Sequence, residues 1–333
     1  MKVIGTKILH KTGGVCPAKC LAAIRRSDGF TECLPLSSHQ PYGGGILKSS
    51  WDAGWSIDKI QNSLYRTKFI TVPNIIEDWL SVHEGLAGKD VLEFGCGEGT
   101  VALAMKLRKN ARLVIGIEIL DVHEQCLPIA RKEIGLESLP NNFHLRKIAP
   151  GENLAQWGQF DVVYSWSVFE HVAQNMIETA LKSIFESLKP GGLFFLQVSP
   201  LFYSSNGSHM GPWVPAPWAH LTMQHNTFHQ HLKDAPPTPA HVRSEWAVYI
   251  PIDSGKEVER TLLWETYQTL NRVTAPQLCS LTRGAGFKIV RDYRTCTEQK
   301  PPDELKEIYR EDILTTEQIV LLLQRPHHQQ GHR

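Results

Sequence analysis

The chain has 333 residues, 42% of them hydrophobic, enough for one large domain or a domain with a sizeable insertion. Its formal net charge is +1, with both signs mixed along the chain, which argues against a nucleic-acid or anionic-membrane partner. No apolar run is long enough to span a bilayer, and the first 14 residues carry lysines but no apolar segment of the kind a secretory leader needs. Seven cysteines are scattered; Cys16 and Cys20 form the one close pair, with Cys33 beyond. Without a second pair at ligand spacing they read as reduced structural thiols, and the protein as soluble and cytoplasmic.

Residues 1–50 carry no sustained period and are punctuated by glycine pairs and triplets, so they read as an N-terminal extension. Ser56 is placed to cap a helix through about Arg66, and Pro73 suits the first turn of a second helix through His83. A strict alternation then begins. Asp90–Phe94 reads as a buried strand, Glu98–Lys109 as a helix, and Arg112–Ile117 as a strand ending at Glu118. Val122–Ile134 reads as a helix stopped by Gly135. Strands over Phe143–Ile148 and Phe160–Ser165 follow, then a helix over Asn175–Leu188 ended by Lys-Pro-Gly-Gly, and a strand over Leu193–Val198. This order predicts a parallel sheet with helices on both faces.

Residues 200–245 break the rhythm; they are rich in Pro, His and Trp, and with the stretch to 274 they read as a lid or substrate insertion. The alternation resumes with a helix over Ala275–Arg283, a strand over Phe287–Tyr293 and a last apolar run, Gln318–Leu323. Too little lies between these two strands for a convincing crossover, so an antiparallel pairing is expected. Residues 51–326 then form the main domain and 327–333 a disordered tail.

The chemistry concentrates where the first strand meets its helix. Gly95, Gly97 and Gly99 allow a tight turn and a ligand resting on bare backbone. A dinucleotide site wants its third glycine where Thr100 stands, and the Gly-Lys-Ser/Thr of a Walker loop is absent. Glu118, ending the next strand, is an acceptor-only group suited to both hydroxyls of a ribose.

Val91-Leu-Glu-Phe-Gly-Cys-Gly-Glu-Gly99, Ile115-Gly-Ile-Glu118, the run from Phe160 to His171, and Leu188-Lys-Pro-Gly-Gly-Leu193 together resemble the class I S-adenosylmethionine-dependent methyltransferases, over residues 85–200 and again over 275–325. The resemblance implies a Rossmann-like α/β fold: a seven-stranded, mostly parallel sheet with an antiparallel last strand. It also implies S-adenosylmethionine as cofactor. The implied cofactor residues are Glu93, Gly95, Cys96, Gly97 and Gly99 toward the methionine end, Glu118 and Ile119 at the ribose, and Gly151, Glu152 and Ser165 around the rest of the site. Pro150 stands where the family often has an acidic residue at the adenine, which leaves Glu152 or a backbone carbonyl as the acceptor for the adenine amine.

Methyl transfer from a sulfonium is an in-line displacement, and a hydroxyl acceptor needs a base. Six histidines lie in residues 200–245. His209, in Asn-Gly-Ser-His, and His220, in Pro-Trp-Ala-His, are the candidate bases, against the plainer reading of loop histidines. Trp213 and Trp218 are candidate floors for a sugar or aromatic acceptor, or else anchors of the loop. His225 and His229 share a helical face near His231, but with no carboxylate or thiol at matching spacing except Asp234 no metal is expected. His171 reads as site-lining or structural. Trp51 and Trp55 are expected to cover the cofactor and exclude water. The expected activity is O-methylation of a small-molecule or glycan hydroxyl. N- or carboxyl-methylation of a metabolite or protein is a second reading, and a cofactor-binding scaffold without turnover a third. The oligomeric state is not encoded in these motifs.

Overall fold

The computed structural model describes residues 22–25, 31–34, 55–238, 242 and 255–327. The expectations placed on Cys16, Cys20, Trp51, His241 and the tail beyond 327 lie outside them, as does the side chain of Cys33. The chain divides into two units, Met1–Gly44 and Gly45–Arg333. In the first, β1 (Ala22–Arg25) pairs antiparallel with β2 (Thr31–Leu34), Ala22 opposite Leu34.

The second unit is built on a seven-stranded sheet in the order β5-β4-β3-β6-β7-β9-β8. Its strands are β3 (Asp90–Phe94), β4 (Leu113–Glu118), β5 (Phe143–Lys147), β6 (Phe160–Trp166), β7 (Leu188–Val198), β8 (Lys288–Cys296) and β9 (Thr316–Gln324). Strands β3 to β7 pair in parallel, while β9 runs antiparallel to both β7 and β8. This is the Rossmann-like α/β arrangement expected, with β9 as the antiparallel strand. Two short helices, Asp303–Lys306 and Glu311–Thr315, fill the connection from β8 to β9. The strand order reverses between β3 and β6, and in such sheets ligands bind at the carboxyl ends of the strands beside that reversal.

Five helices flank the sheet, α1 (Val72–Leu80), α2 (Thr100–Lys109), α3 (Cys126–Ile134), α4 (Ile177–Ser187) and α7 (Ala275–Gly284), while α5 (His225–Asp234) and α6 (Lys256–Thr269) pack on each other in the segment between β7 and α7. Each boundary has a local cause. Pro73 sits in the first turn of α1. Lys106, Arg108 and Lys109 crowd the last turn of α2, where the helix dipole favours cations. Gly135 closes α3 in the left-handed region, its N–H reaching the Ala130 and Arg131 carbonyls. Thr274 and Gln277 cap α7 reciprocally. The sequence pattern places the end of α4 in Lys-Pro-Gly-Gly; in the structure α4 stops at Ser187 and that segment is a bulge within β7, between Leu188 opposite Phe160 and Leu193 opposite Val162.

Strand alternation sorts the core. Leu92, Val163, Phe194, Leu196, Ile319 and Leu321 join α4 and α7 residues in one apolar cluster. On the other face, Phe195 meets Trp79 of α1 edge-on at 5.5 Å. Val91 and Glu93 alternate with Leu92 and so share that second face. Among the described residues no helix is long and apolar enough to cross a membrane.

The segment between β7 and α7 has a core of its own. Phe202, Trp213, Phe228, Leu263, Trp264 and Tyr267 are buried together. A buried Glu259–Arg260 ion pair with Thr238 beside it ties α6 to the preceding loop, and Arg260 also donates to the Pro236 carbonyl at 2.7 Å.

Candidate functional site

The glycine loop leaves β3 and folds around the end of β4. The Gly95 and Cys96 N–H groups both donate to the Ile117 carbonyl, at 3.0 and 2.9 Å. Gly95 sits at φ 76° and Gly99 at φ 80°, in the left-handed region. A Cβ at Gly95 would lie 2.5 Å from both γ-carbons of Val168, and one at Gly99 would lie 2.6 Å from Leu145. The cradle is therefore shaped by neighbours that leave no room for side chains.

Two carboxylates frame the loop in different ways. Glu118 is part-exposed at the tip of β4. Its Oε2 accepts the Gly97 N–H at 2.8 Å, and its Oε1 accepts those of Ile119 and Leu120 at 2.8 and 3.2 Å. The carboxylate is thus fixed by three backbone donors, and of its roughly four lone-pair sites the one left, on Oε2, is open to a ribose hydroxyl. Ile119 and Leu120, 49% and 46% exposed, put an apolar rim beside it. Glu93 is only 3% exposed. Burial pushes its carboxyl well above the ordinary range, against smaller downward pulls from the Tyr164 hydroxyl and the Ala102 N–H. Its Oε2 and the Tyr164 hydroxyl each lack a hydrogen bond of ordinary geometry, so this buried pair is polar surface held close to the loop. Glu98 pairs with Lys68 at 2.7 Å, which ties the helical segment before α1 to the loop.

The other expected cofactor residues are placed as follows. Cys96 and Cys126 turn their thiols to the Gly97 and Gly99 carbonyls at 3.7 and 3.8 Å. Burial raises both thiol pKa values, that of Cys126 to about 12, so they act as apolar filling under the loop. Ser165 is buried and donates to the Phe94 carbonyl at 3.1 Å, pinning β3 to β6. Gly151 is left-handed at φ 81°. Glu152 folds back over this turn, accepting the Ala149 N–H at 2.8 Å and the Gln156 amide at 2.5 Å.

The candidate bases separate in the structure. His220 is 9% exposed and packed edge-on against Phe202, with Nε2 bonded to the Phe202 carbonyl at 2.6 Å. This is a core histidine whose polar edge is already satisfied. Trp213 and Trp218, 5% and 2% exposed, are likewise interior. Their indole N–H groups donate to Thr238 Oγ1 at 2.7 Å and to the Tyr203 and Leu314 carbonyls at 3.1 and 3.3 Å. His229 stacks on Trp264 at 3.9 Å and His225 lies edge-on to the same ring. Trp55 packs edge-on against Phe69.

His209 lies elsewhere. The loop after β7 brings it against the loop after β6, its ring 5.1 Å from that of His171. Together with Glu170, each offers one ligand atom, all within 4.8 Å of one another. Glu170 Oε2 and His209 Nε2 are buried and without a hydrogen-bond partner. Burial holds His171 down to about 4 and raises Glu170 to about 8. His209 is held down to about 3, by burial first and then by neighbouring His171. The cluster adjoins the cofactor loop through Val168 over Gly95 and through Phe94 against Phe169 at 5.3 Å. Glu170 was not singled out by sequence reasoning; the available signal was the Glu-His pair closing the motif after β6, together with a Gly-Ser-His run after the next strand.

The chain is similar to several known proteins. Ubiquinone biosynthesis O-methyltransferase from Azoarcus sp. (strain BH72) is 33% identical over 120 residues, covering 35% of this chain and 47% of the relative. The protein of the same name from Acinetobacter baylyi is 39% identical over 121 residues, again covering 35% and 47%. The chain thus spans about half the length of these curated relatives. The magnesium protoporphyrin IX methyltransferase of Synechocystis PCC 6803, solved with bound S-adenosylhomocysteine, aligns over 79% of this chain and 85% of its own, at 14% identity and a TM-score of 0.42. Residues 74–292 match the family described as a methyltransferase domain, and the chain belongs to that family, as an S-adenosylmethionine-dependent methyltransferase.

Proposed function

We propose that this enzyme methylates a hydroxyl of a small molecule or sugar, and that Glu170, His171 and His209 receive the hydroxyl at the point of attack. The observation that carries this is the buried, unpartnered Nε2 of His209 beside the unpartnered Oε2 of Glu170. Acceptor groups left bare in the interior are costly unless a ligand satisfies them. An O–H group brought to this cluster is a donor with nowhere else to give its proton. As that proton is lost, the oxygen attacks the sulfonium methyl: the C–O bond forms, the S–CH3 bond breaks, and S-adenosylhomocysteine leaves as a neutral thioether. The protein's contribution is positioning, which in well-aligned reactions is equivalent to roughly 7–11 kcal/mol.

A small acceptor is favoured by the neighbouring cavity. It measures about 200 Å³ and is lined by Phe202, His225, Tyr267, Gln268, Leu270 and Arg272. It sits on the end of α6 that also places Thr269 against His171 at 3.3 Å. That volume is below the usual range for drug-sized ligands and suits a single ring. The O-methyltransferase names of the partial relatives point the same way.

The test is a pair of variants, His209→Asn and Glu170→Gln, assayed for methyl transfer to an identified acceptor and for S-adenosylhomocysteine binding. The expected outcome is a loss of kcat of about 100-fold or more, in the range of general acid–base contributions, with cofactor affinity within about threefold of wild type. Near-normal kcat in both variants refutes the assignment.

A further inference from the structure

The geometry points to a divalent transition-metal site formed by Glu170, His171 and His209, with open positions that take the acceptor hydroxyl. This deepens the O-methylation reading above and rests on it for the role of the metal, though not for its binding.

Hydrogen-bond partners fix where the imidazole protons sit. His171 Nδ1 lies 3.3 Å from Thr269 Oγ1. The Thr269 hydroxyl donates its single hydrogen to the Thr266 carbonyl at 2.8 Å. Thr269 can therefore only accept from His171, which puts the His171 proton on Nδ1 and leaves Nε2 a bare lone pair. For His209, Nε2 is the unpartnered nitrogen, and the ring's other nitrogen faces the Pro200 carbonyl, which holds the proton on that side. Glu170 is met by backbone N–H groups, its own and that of Ser199, while its Oε2 has no partner. Two imidazole lone pairs and a carboxyl group whose ionisation burial opposes are thus brought together.

A cation entering there would displace the Glu170 proton and satisfy the unpartnered Oε2 and Nε2 together. Two histidines and one carboxylate form a donor set suited to zinc, manganese, iron or cobalt rather than to magnesium or calcium, which prefer all-oxygen shells. The partners on the far nitrogens, a hydroxyl for His171 and a carbonyl for His209, are of the kind that orient metal-binding imidazoles. Three atoms within 4.8 Å of one another lie no more than about 2.8 Å from a common centre. Reaching a bond length of about 2.1 Å asks each to move inward by at most about 0.7 Å. A cation held there would make an acceptor hydroxyl bound beside it more acidic, and with His209 Nε2 taken up as a ligand the proton would pass to solvent instead.

The experiment is direct binding to the full chain after chelator treatment. Zinc is titrated calorimetrically, and Co²⁺ is followed by the visible absorption of the bound ion. Wild type is expected to take up one equivalent, with Glu170→Gln weakening binding at least about tenfold. His209→Asn, chosen because Asn tolerates the left-handed backbone at φ 62°, is expected to do the same. His231→Ala, on the exposed histidine of α5, is expected to bind as wild type. Retained S-adenosylhomocysteine binding certifies the fold of each variant. No stoichiometric binding to wild type, or binding unchanged in both cluster variants, overturns the site. That result leaves the O-methylation reading standing if His209→Asn still abolishes turnover, whereas metal binding with methyl transfer to nitrogen would refute that reading and keep the site.

Discussion

Replacing Gly95 by Ala tests the cradle and its link to Glu170 and His171 together. At φ 76° an L-residue costs about 1–2 kcal/mol. The new Cβ would also fall 2.5 Å from both Val168 γ-carbons, well inside the usual separation of about 3.5–4.0 Å, so Val168 has to move. Overpacking of this kind costs about 1–3 kcal/mol, giving a total of about 2–5 kcal/mol for Gly95→Ala. Val168→Ala removes both offending carbons. In the double variant most of the steric part is recovered, with Val168 Cβ still 3.0 Å away, and the backbone part remains, so a double-mutant cycle in urea is expected to give a coupling of about 1–3 kcal/mol. Because Val168 lies two residues before Glu170, Gly95→Ala is also expected to lower kcat in the folded enzyme. A wild-type unfolding midpoint for Gly95→Ala, or additivity within about 0.5 kcal/mol, would refute the packing argument.

Glu118→Gln exchanges one carboxylate oxygen for an amide that repels the backbone N–H it faced. With charge-assisted hydrogen bonds worth about 1.5–3 kcal/mol, calorimetry should show S-adenosylmethionine binding weakened about 10- to 150-fold. His220→Ala removes the bond to Phe202 and leaves a buried carbonyl unsatisfied; a stability loss of about 1–3 kcal/mol is expected, with kcat retained below the melting range. A loss of turnover larger than the loss of folded protein would return His220 to the reacting centre. At the opposite end of the sheet, burial tends to raise Asp161, but the Lys189 ammonium and the Asp90 N–H together bring it below its ordinary 3.8. Its folded value is depressed, so its contribution is present above the unfolded pKa and is lost as pH falls through the folded one. Urea midpoints of wild type should therefore drop below about pH 4, and Asp161→Asn should have a lower neutral-pH midpoint with a shallower acid limb.

The cofactor half was legible because its signals are local. Gly95 to Gly99 follow their strand directly, and Glu118 ends the next one, so period and punctuation alone place them. The pairing of β9 was legible because Arg294–Thr315 reads as too short for a crossover. The acceptor half is carried by long-range contacts that no window records. Glu170 and His209 stand on separate loops and meet only because β6 and β7 are neighbours in the sheet. Trp213, Trp218 and His220 sit in a stretch without period, which left an acceptor site and the plainer loop-anchor reading both open. The stretch has its own core, completed by Trp264 and Tyr267 from α6, with Trp213 inside it and the His220 imidazole against Phe228, while Trp218 packs with Leu305 and Leu314. Proline and histidine content marked the region as unusual without showing which side chains face inward.

The most direct test of the whole account is where the methyl group goes. Enzyme and labelled S-adenosylmethionine are incubated with pooled small molecules and glycans, and the labelled product is identified by mass spectrometry and by its stability to acid and base. The account predicts a methyl ether on a small hydroxyl acceptor, formed by wild type and lost in His209→Asn. Label recovered on nitrogen or as a base-labile ester, or a methyl ether formed equally well by His209→Asn, would contradict it.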